Sequence, residues 1–104
     1  KCCWKIVSLN NKNLKNIYHW CDAGVTSWYD FAVAIGEISQ SLGIIKERAN
    51  VMPIKSINFQ TKAKRPFYSV LDTFSTLEEL KINNHHWRER LSDILLEIRD
   101  LKQN

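Results

Sequence analysis

The sequence predicts an α+β fold, a small unit of three or four helices with a few short strands, and three observations lead there. Apolar residues at Trp28, Phe31, Ile35, Ile38 and Leu42 recur at the spacing of one helical face. A second stripe, Trp87, Leu91, Ile94, Leu95, Ile98 and Leu101, marks an amphipathic helix with acidic and basic residues on its outer face. Short β-prone runs, Ile17–Trp20 and Val51–Ile54, supply the candidate strands. With 104 residues the chain is read as one domain, long enough for a single modest core.

Taken in order, Lys1 to Val7 begins abruptly with Cys2, Cys3, Trp4, Ile6 and Val7. That run is too short for a membrane span and lacks the layout of a signal peptide. Residues 1–15 therefore read as the tail of a helix from a preceding domain plus a linker. Ile17-Tyr18-His19-Trp20 follows as a strand, bounded by Asn16 and a turn from Cys21 to Gly24. Ser27 with Asp30 three residues later forms a capping-box start. The helix it opens runs over Trp28–Leu42, roughly four turns, and Gly43 supplies a left-handed stop. Gly36 inside it costs about 1 kcal/mol against alanine unless something packs closely there.

Val51–Ile54 reads as a second strand, and Pro53 places it at an edge or a bulge. Ser56 to Lys62 is loop with some extended character, and Pro66 makes the stretch from Ala63 to Leu71 irregular. Ser75 and Glu78 repeat the capping-box pattern and start a short helix that carries Leu77 and Leu80, broken by Asn83-Asn84. The final helix begins near Trp87.

The composition, 44% hydrophobic and 25% charged, is that of an ordinary soluble domain. Charge is uneven: residues 1–65 hold ten Lys and Arg against four acids, and residues 66–104 hold five against seven. The basic residues are scattered and no nucleic-acid recognition motif accompanies them, so nucleic acid and membrane are not expected partners. A local patch for one small anionic ligand, centred on Lys62, Lys64 and Arg65, fits better. Lys1, Lys5, Lys12 and Lys15 read as solvated surface. Three cysteines without a Cys-x-x-Cys spacing argue against a disulfide framework and for a reducing, cytoplasmic setting. Cys21, His19, His85 and His86 do not make a metal site on this reading, because adjacent histidines on a helix point about 100° apart.

Ala63-Lys64-Arg65-Pro66-Phe67-Tyr68-Ser69-Val70-Leu71-Asp72 carries the most information. Pro66 pushes Arg65 into an extended conformation, which gives its planar, permanently charged fork a defined direction suited to a phosphate or pyrophosphate. The run resembles the Arg-Pro-x-x-Ser-x-Leu-Asp signature of the dTDP-4-dehydrorhamnose reductase family, extended short-chain dehydrogenases. Ile17-Tyr18-His19-Trp20 leading into Asp22–Ala32, and His86-Trp87-Arg88-x-x-Leu91, resemble the same family in the expected order. The resemblance reaches only the carboxyl-terminal, substrate-binding half. Gly24, Gly36 and Gly43 lie too far apart for the Gly-rich turn of a Rossmann domain. Positions four residues after Tyr18, Tyr29 and Tyr68 hold Asp22, Val33 and Asp72, so the catalytic Tyr-x-x-x-Lys pair is missing too.

What the resemblance implies is residues 1–104 as a substrate-binding domain, inactive on its own, that grips a dTDP-sugar. A preceding Rossmann domain of the same protein would carry NADPH or NADH and the catalytic residues, with a homodimer left open. The intact enzyme would reduce dTDP-4-dehydro-6-deoxy-L-mannose to dTDP-L-rhamnose, a step in lipopolysaccharide and O-antigen synthesis. No catalytic, cofactor-binding or metal-binding residue is assigned to this segment.

Five residues are its substrate-binding candidates, each with a structural alternative. Arg65 either meets the pyrophosphate or pairs with Asp72 or loop carbonyls. Lys64 stands beside it as a second cation or as plain surface. Tyr68 stacks on thymine, an interaction worth about 1–3 kcal/mol, or fills the space beneath the loop. Ser69 bonds a phosphate or closes the turn, the simpler of the two. Tyr29 lies off the apolar stripe, after a helix start whose amides suit an anion, whereas Trp28 and Trp87 read as core. Asp72 is explained by capping alone. The second function class is a non-catalytic sugar-nucleotide-binding or regulatory module, since a sister branch of the family serves as a regulatory subunit of methionine adenosyltransferase.

Overall fold

Ser27 opens the second helix with a capping box. Its hydroxyl accepts the Asp30 backbone N–H at 3.0 Å while the Asp30 carboxylate accepts from the Ser27 hydroxyl at 2.7 Å and from its backbone N–H at 3.4 Å. The reciprocal bonds satisfy amides that a helix start leaves without partners. The computed structural model describes residues 2–9, 14–59, 61–63 and 65–103. Its elements are α1 (Cys2–Leu9), α2 (Trp28–Ser41), a 3-10 turn (Ser56–Asn58), α3 (Phe74–Leu80) and α4 (Trp87–Gln103).

The helices pack as two pairs, α2 against α4 and α1 against α3. Between α2 and α4 lies a small core of Ala34, Leu91 and Leu95, flanked by Phe31, Ile38, Leu42, Ile44 and Trp87. Ala34 is fully buried against Leu91 and Leu95 of α4. The buried stripe thus runs Phe31, Ala34, Ile38, Leu42, rotated from the one the sequence suggests. Trp28, expected in the core, is instead 83% exposed and touches Phe31 only edge-on, with ring centroids 6.5 Å apart. As the first residue of α2 it stands beyond the part of the helix that α4 covers. Trp87 does join the core, 5.8 Å from the Phe31 ring, although its buried indole N–H finds no acceptor among the described residues.

The expected strands do not form ladders. Among the described residues the single β-type pairing is a parallel bridge between Ala23 and His86. Ile17–Trp20 is extended, but its partners are side chains of α3: the His19 N–H donates to Thr76 Oγ1 at 3.1 Å and the Tyr18 hydroxyl to Glu79 Oε1 at 2.7 Å. The His19 N–H is thereby taken by α3, and the segment joins no ladder among the described residues. Val51–Ile54 is irregular as well, for Pro53 lacks an N–H and the stretch packs against no sheet. The chain here is a small helical domain with extended connections.

Other details follow the local chemistry. Gly43 has φ +72° and ends α2, with its N–H bonded to Gln40 O at 3.0 Å. A Cβ on Gly36 would stand 3.6 Å from Arg48 Cγ, so the aliphatic stem of Arg48 covers that glycine. Helix α3 starts at Phe74 and not at Ser75, because the Asp72 carboxylate accepts the Phe74 N–H at 2.9 Å. It stops before Asn83: Lys81 takes the left-handed conformation (φ 49°, ψ 49°), and Ile82 N–H reaches back to Leu77 O at 3.1 Å. No described helix is long and apolar enough to cross a membrane.

Two substitutions test these backbone positions. A left-handed backbone costs an L-residue roughly 1–2 kcal/mol, so Lys81→Gly should raise the urea midpoint, by up to about 1 kcal/mol in stability. Gly24→Ala should do the reverse, since Gly24 has φ +89° and an added Cβ would stand 3.0 Å from Trp87 Cδ1 and 2.5 Å from His86 Nε2. A loss of at least about 1–2 kcal/mol is expected; an unchanged midpoint would contradict the assigned conformation.

Candidate functional site

The Arg-Pro run lies on the segment between the 3-10 turn and α3. Its start is held by Thr61, whose hydroxyl donates to Ala63 O at 2.6 Å, and its end by the Asp72 cap. Between those anchors the chain presents its side chains to solvent: Phe67 is 96% and Tyr68 76% exposed, and Arg65 and Ser69 are exposed as well. Lys64 lies outside the described residues. Asp72 is committed to the α3 amide, and no Arg65–Asp72 ion pair forms among the described residues. Tyr68 does not fill space beneath the loop. The guanidinium, phenol and hydroxyl of this run thus point away from the domain's own core.

Tyr29 stands apart, exposed in the first turn of α2. No described hydrogen bond or ring contact joins it to Arg65, Tyr68 or Ser69. The start of α2 is also a poorer anion site than its position suggests, because the Asp30 carboxylate already sits against its amides and brings a negative charge.

Two polar clusters escaped the sequence reading. In one, Glu79 receives the Tyr18 hydroxyl at 2.7 Å and the Lys15 ammonium at 2.8 Å, while the Lys15 backbone N–H donates to the Tyr18 oxygen at 3.0 Å. The bonds from Lys15 and then Tyr18 hold the Glu79 carboxyl below the usual range, and partial burial followed by the bond to Glu79 raises the Tyr18 phenol. In the other, Glu37 on α2 pairs with Arg88 on α4 and, at 3.7 Å, with Arg48. Arg88 lowers the Glu37 carboxyl. The partners lie far apart in sequence, and no local spacing signals either cluster.

An open groove of about 660 Å³ runs between α2 and residues 45–51, lined by Ala32, Ile35, Gly36, Ile45, Arg48 and Val51 among others. Tyr29, Arg65, Tyr68 and Ser69 are not among its lining residues. Each glycine is committed elsewhere: Gly24 lies under His86, Gly36 under Arg48, and Gly43 ends α2. The described residues therefore offer no Gly-rich cradle for a dinucleotide. Nor do three His, Cys, Asp or Glu side chains converge on a metal position among them.

Comparison with known proteins gives this arrangement its context. Residues 2–100 match the family described as RmlD substrate binding domain. The spore coat polysaccharide biosynthesis protein SpsK of Bacillus subtilis (strain 168) is 38% identical over 81 residues, covering 78% of this chain and 26% of the relative. The dTDP-4-dehydrorhamnose reductase of Aggregatibacter actinomycetemcomitans is 32% identical over 78 residues, 75% of this chain and 26% of the relative. That of Escherichia coli (strain K12) is 26% identical over 92 residues, 88% of this chain and 31% of the relative. No solved structure matches. The chain belongs to the RmlD substrate-binding domain family, and it spans between a quarter and a third of the length of these relatives.

The Glu79 cluster makes a pH-dependent prediction. A carboxyl held low in the folded state stabilises fully above its unfolded value, about 4.3, and this stabilisation is lost as pH falls through the folded value. Glu79→Gln should therefore be less stable than the parent at pH 7, with the gap narrowing below about pH 4 and at high salt. Urea unfolding at several pH values measures it; a gap independent of pH would show that the clasp contributes nothing through its charge.

Proposed function

We propose that this chain is the sugar-nucleotide-binding domain of a dTDP-4-dehydrorhamnose reductase. The observation that carries the reading is the family match over nearly the whole chain, together with an Arg-Pro segment whose polar side chains the domain's own packing leaves available. In this reading Arg65 grips the diphosphate through its planar fork, as an extended backbone before Pro66 allows. Tyr68 offers a flat, exposed ring to the thymine, and Ser69 donates to a phosphate oxygen. Lys64 adds a second positive charge. Tyr29 is the fifth contact, approached from the start of α2.

Hydride transfer from NADPH or NADH to the 4-keto group of the sugar belongs to a separate nucleotide-binding domain. This chain supplies position: it fixes the charged end of the substrate, so that the keto carbon is presented in one orientation. Cytoplasmic sugar-nucleotide metabolism is the setting that fits. The 104-residue chain, mixed with NADPH and dTDP-4-dehydrorhamnose, should give no turnover, and measurable turnover would overturn this division of labour.

Arg65→Ala in an intact reductase carrying this domain should weaken dTDP binding by roughly 1.5–3 kcal/mol, the range for a hydrogen bond to a charged group. NAD(P)H binding should hardly change. Arg65→Lys should recover only part of the loss, since a point charge does not reproduce the fork. Calorimetric titration of both ligands beside a thermal melt decides: unchanged dTDP affinity with a lowered Tm would remove Arg65 from the site.

A further inference from the structure

The groove of about 660 Å³ between α2 and residues 45–51 has the size of a small-molecule site, roughly 300–1,000 Å³. Its walls are mainly apolar, with Ala32 and Ile35 on the helix side and Ile45 and Val51 across from them. The second wall is tied to α2 at its start. Ile44 N–H and Ile45 N–H both donate to Ser39 O, at 2.9 and 3.4 Å, and Gln40 Nε2 donates to Lys46 O at 3.0 Å. Bonds within the chain thus set the spacing of the two walls at that end.

Two polar side chains line the groove, Arg48 and Asn50, and neither makes a hydrogen bond among the described residues. The charges around Arg48 do not balance. Glu37 is hydrogen-bonded by Arg88, which leaves Arg48 an ion pair at 3.7 Å, beyond the reach of an N–H···O bond. One carboxylate therefore meets two guanidiniums, and the surplus positive charge lies with Arg48. The stem of Arg48 covers Gly36, where a Cβ would stand 3.6 Å from its Cγ, while the side chain as a whole is 51% exposed. A trough of this kind suits a ligand with an apolar body and one negative end. The body takes water off Ile35 and Ile45, each 36% exposed, and a carboxylate matches the planar fork of the guanidinium. A neutral ligand gains nothing from the charge, and a cation is repelled by it.

We propose that this groove binds a small organic monocarboxylate, with its apolar chain or ring along Ala32, Ile35, Ile45 and Val51 and its carboxylate on Arg48 and Asn50. Tyr29, Arg65, Tyr68 and Ser69 do not line the groove, and the proposal does not rest on the functional reading above.

Octanoate, kept below its micelle concentration, is the probe, and octanamide is its neutral counterpart. Titrated into the 104-residue chain, octanoate should shift the amide resonances of residues 32–36 and 45–51. It should bind about fivefold or more tighter than octanamide at low salt, a margin set by the half-exposed arginine and reduced at high salt. Arg48→Gln should lower octanoate affinity to that of octanamide and leave octanamide binding unchanged. Gly36→Leu, a better helix former at that position, should fill the groove and weaken both probes by about tenfold or more. No binding, equal affinity for the two probes, or shifts confined to other residues would overturn the proposal. So would octanoate binding undiminished in Gly36→Leu, which decides the matter even where Arg48→Gln does not fold.

Discussion

The segment from Lys15 to Gly24 is the constraint on which the rest of this structure depends. It runs between the two helix pairs and is bonded to both. Lys15, Tyr18 and His19 bind Glu79 and Thr76 of α3, and Asn84 donates to Cys21 O at 3.0 Å. Ala23 N–H donates to His85 O at 2.8 Å, and Trp87 N–H to Ala23 O at 3.0 Å. With the core reduced to a few side chains between α2 and α4, these directional bonds do what packing does in a thicker domain. They also set the register of α2 on α4. The bridge at Ala23 stands five residues before the first helical residue, so the position of Ala34 against Leu91 and Leu95 is fixed from the loop inward.

How much of this was legible in the sequence depends on how local each cause is. The Ser27–Asp30 box, the stop at Gly43, the irregular stretch around Pro66 and the final helix from Trp87 were all readable, because each rests on residues within a few positions of one another. The strands were misread because β propensity describes a segment and not its neighbour. Ile17–Trp20 meets a helix and not a strand: its His19 N–H goes to Thr76 of α3 and its Tyr18 hydroxyl to Glu79. Trp28 was misassigned although its spacing is helical: α4 meets the first turn of α2 through Phe31 and Trp87, and Trp28 is left 83% exposed beside them. Of the candidate site, the Arg-Pro run was singled out by its residue types and its resemblance to the family signature, and Arg65, Phe67, Tyr68 and Ser69 lie exposed on the surface. The Glu79 and Glu37 clusters left no trace in sequence because their partners are brought together only by the fold.

The domain separates scaffold from surface in a consistent way. Residues that hold the helices, Thr76, Glu79, Glu37 and Asp72, have their polar groups engaged internally. Arg65, Tyr68 and Ser69 have no such bonds among the described residues, and they lie between the Thr61–Ala63 and Asp72–Phe74 bonds.

The bonds of the Lys15–Gly24 segment also order the events of folding. Its partners beyond the segment are 57 to 64 residues away along the chain, so none of these bonds can form until Thr76 to Trp87 has been synthesised. Closing loops of that length is entropically costly and slow relative to forming a capped helix. During translation, α2 with its reciprocal cap is therefore the element able to form first, while the neighbouring extended segment waits with its amides in water. A slow codon or a pause between Leu42 and Thr73 would lengthen that wait, and with it the interval in which the apolar face of α2 is open to association with other nascent chains.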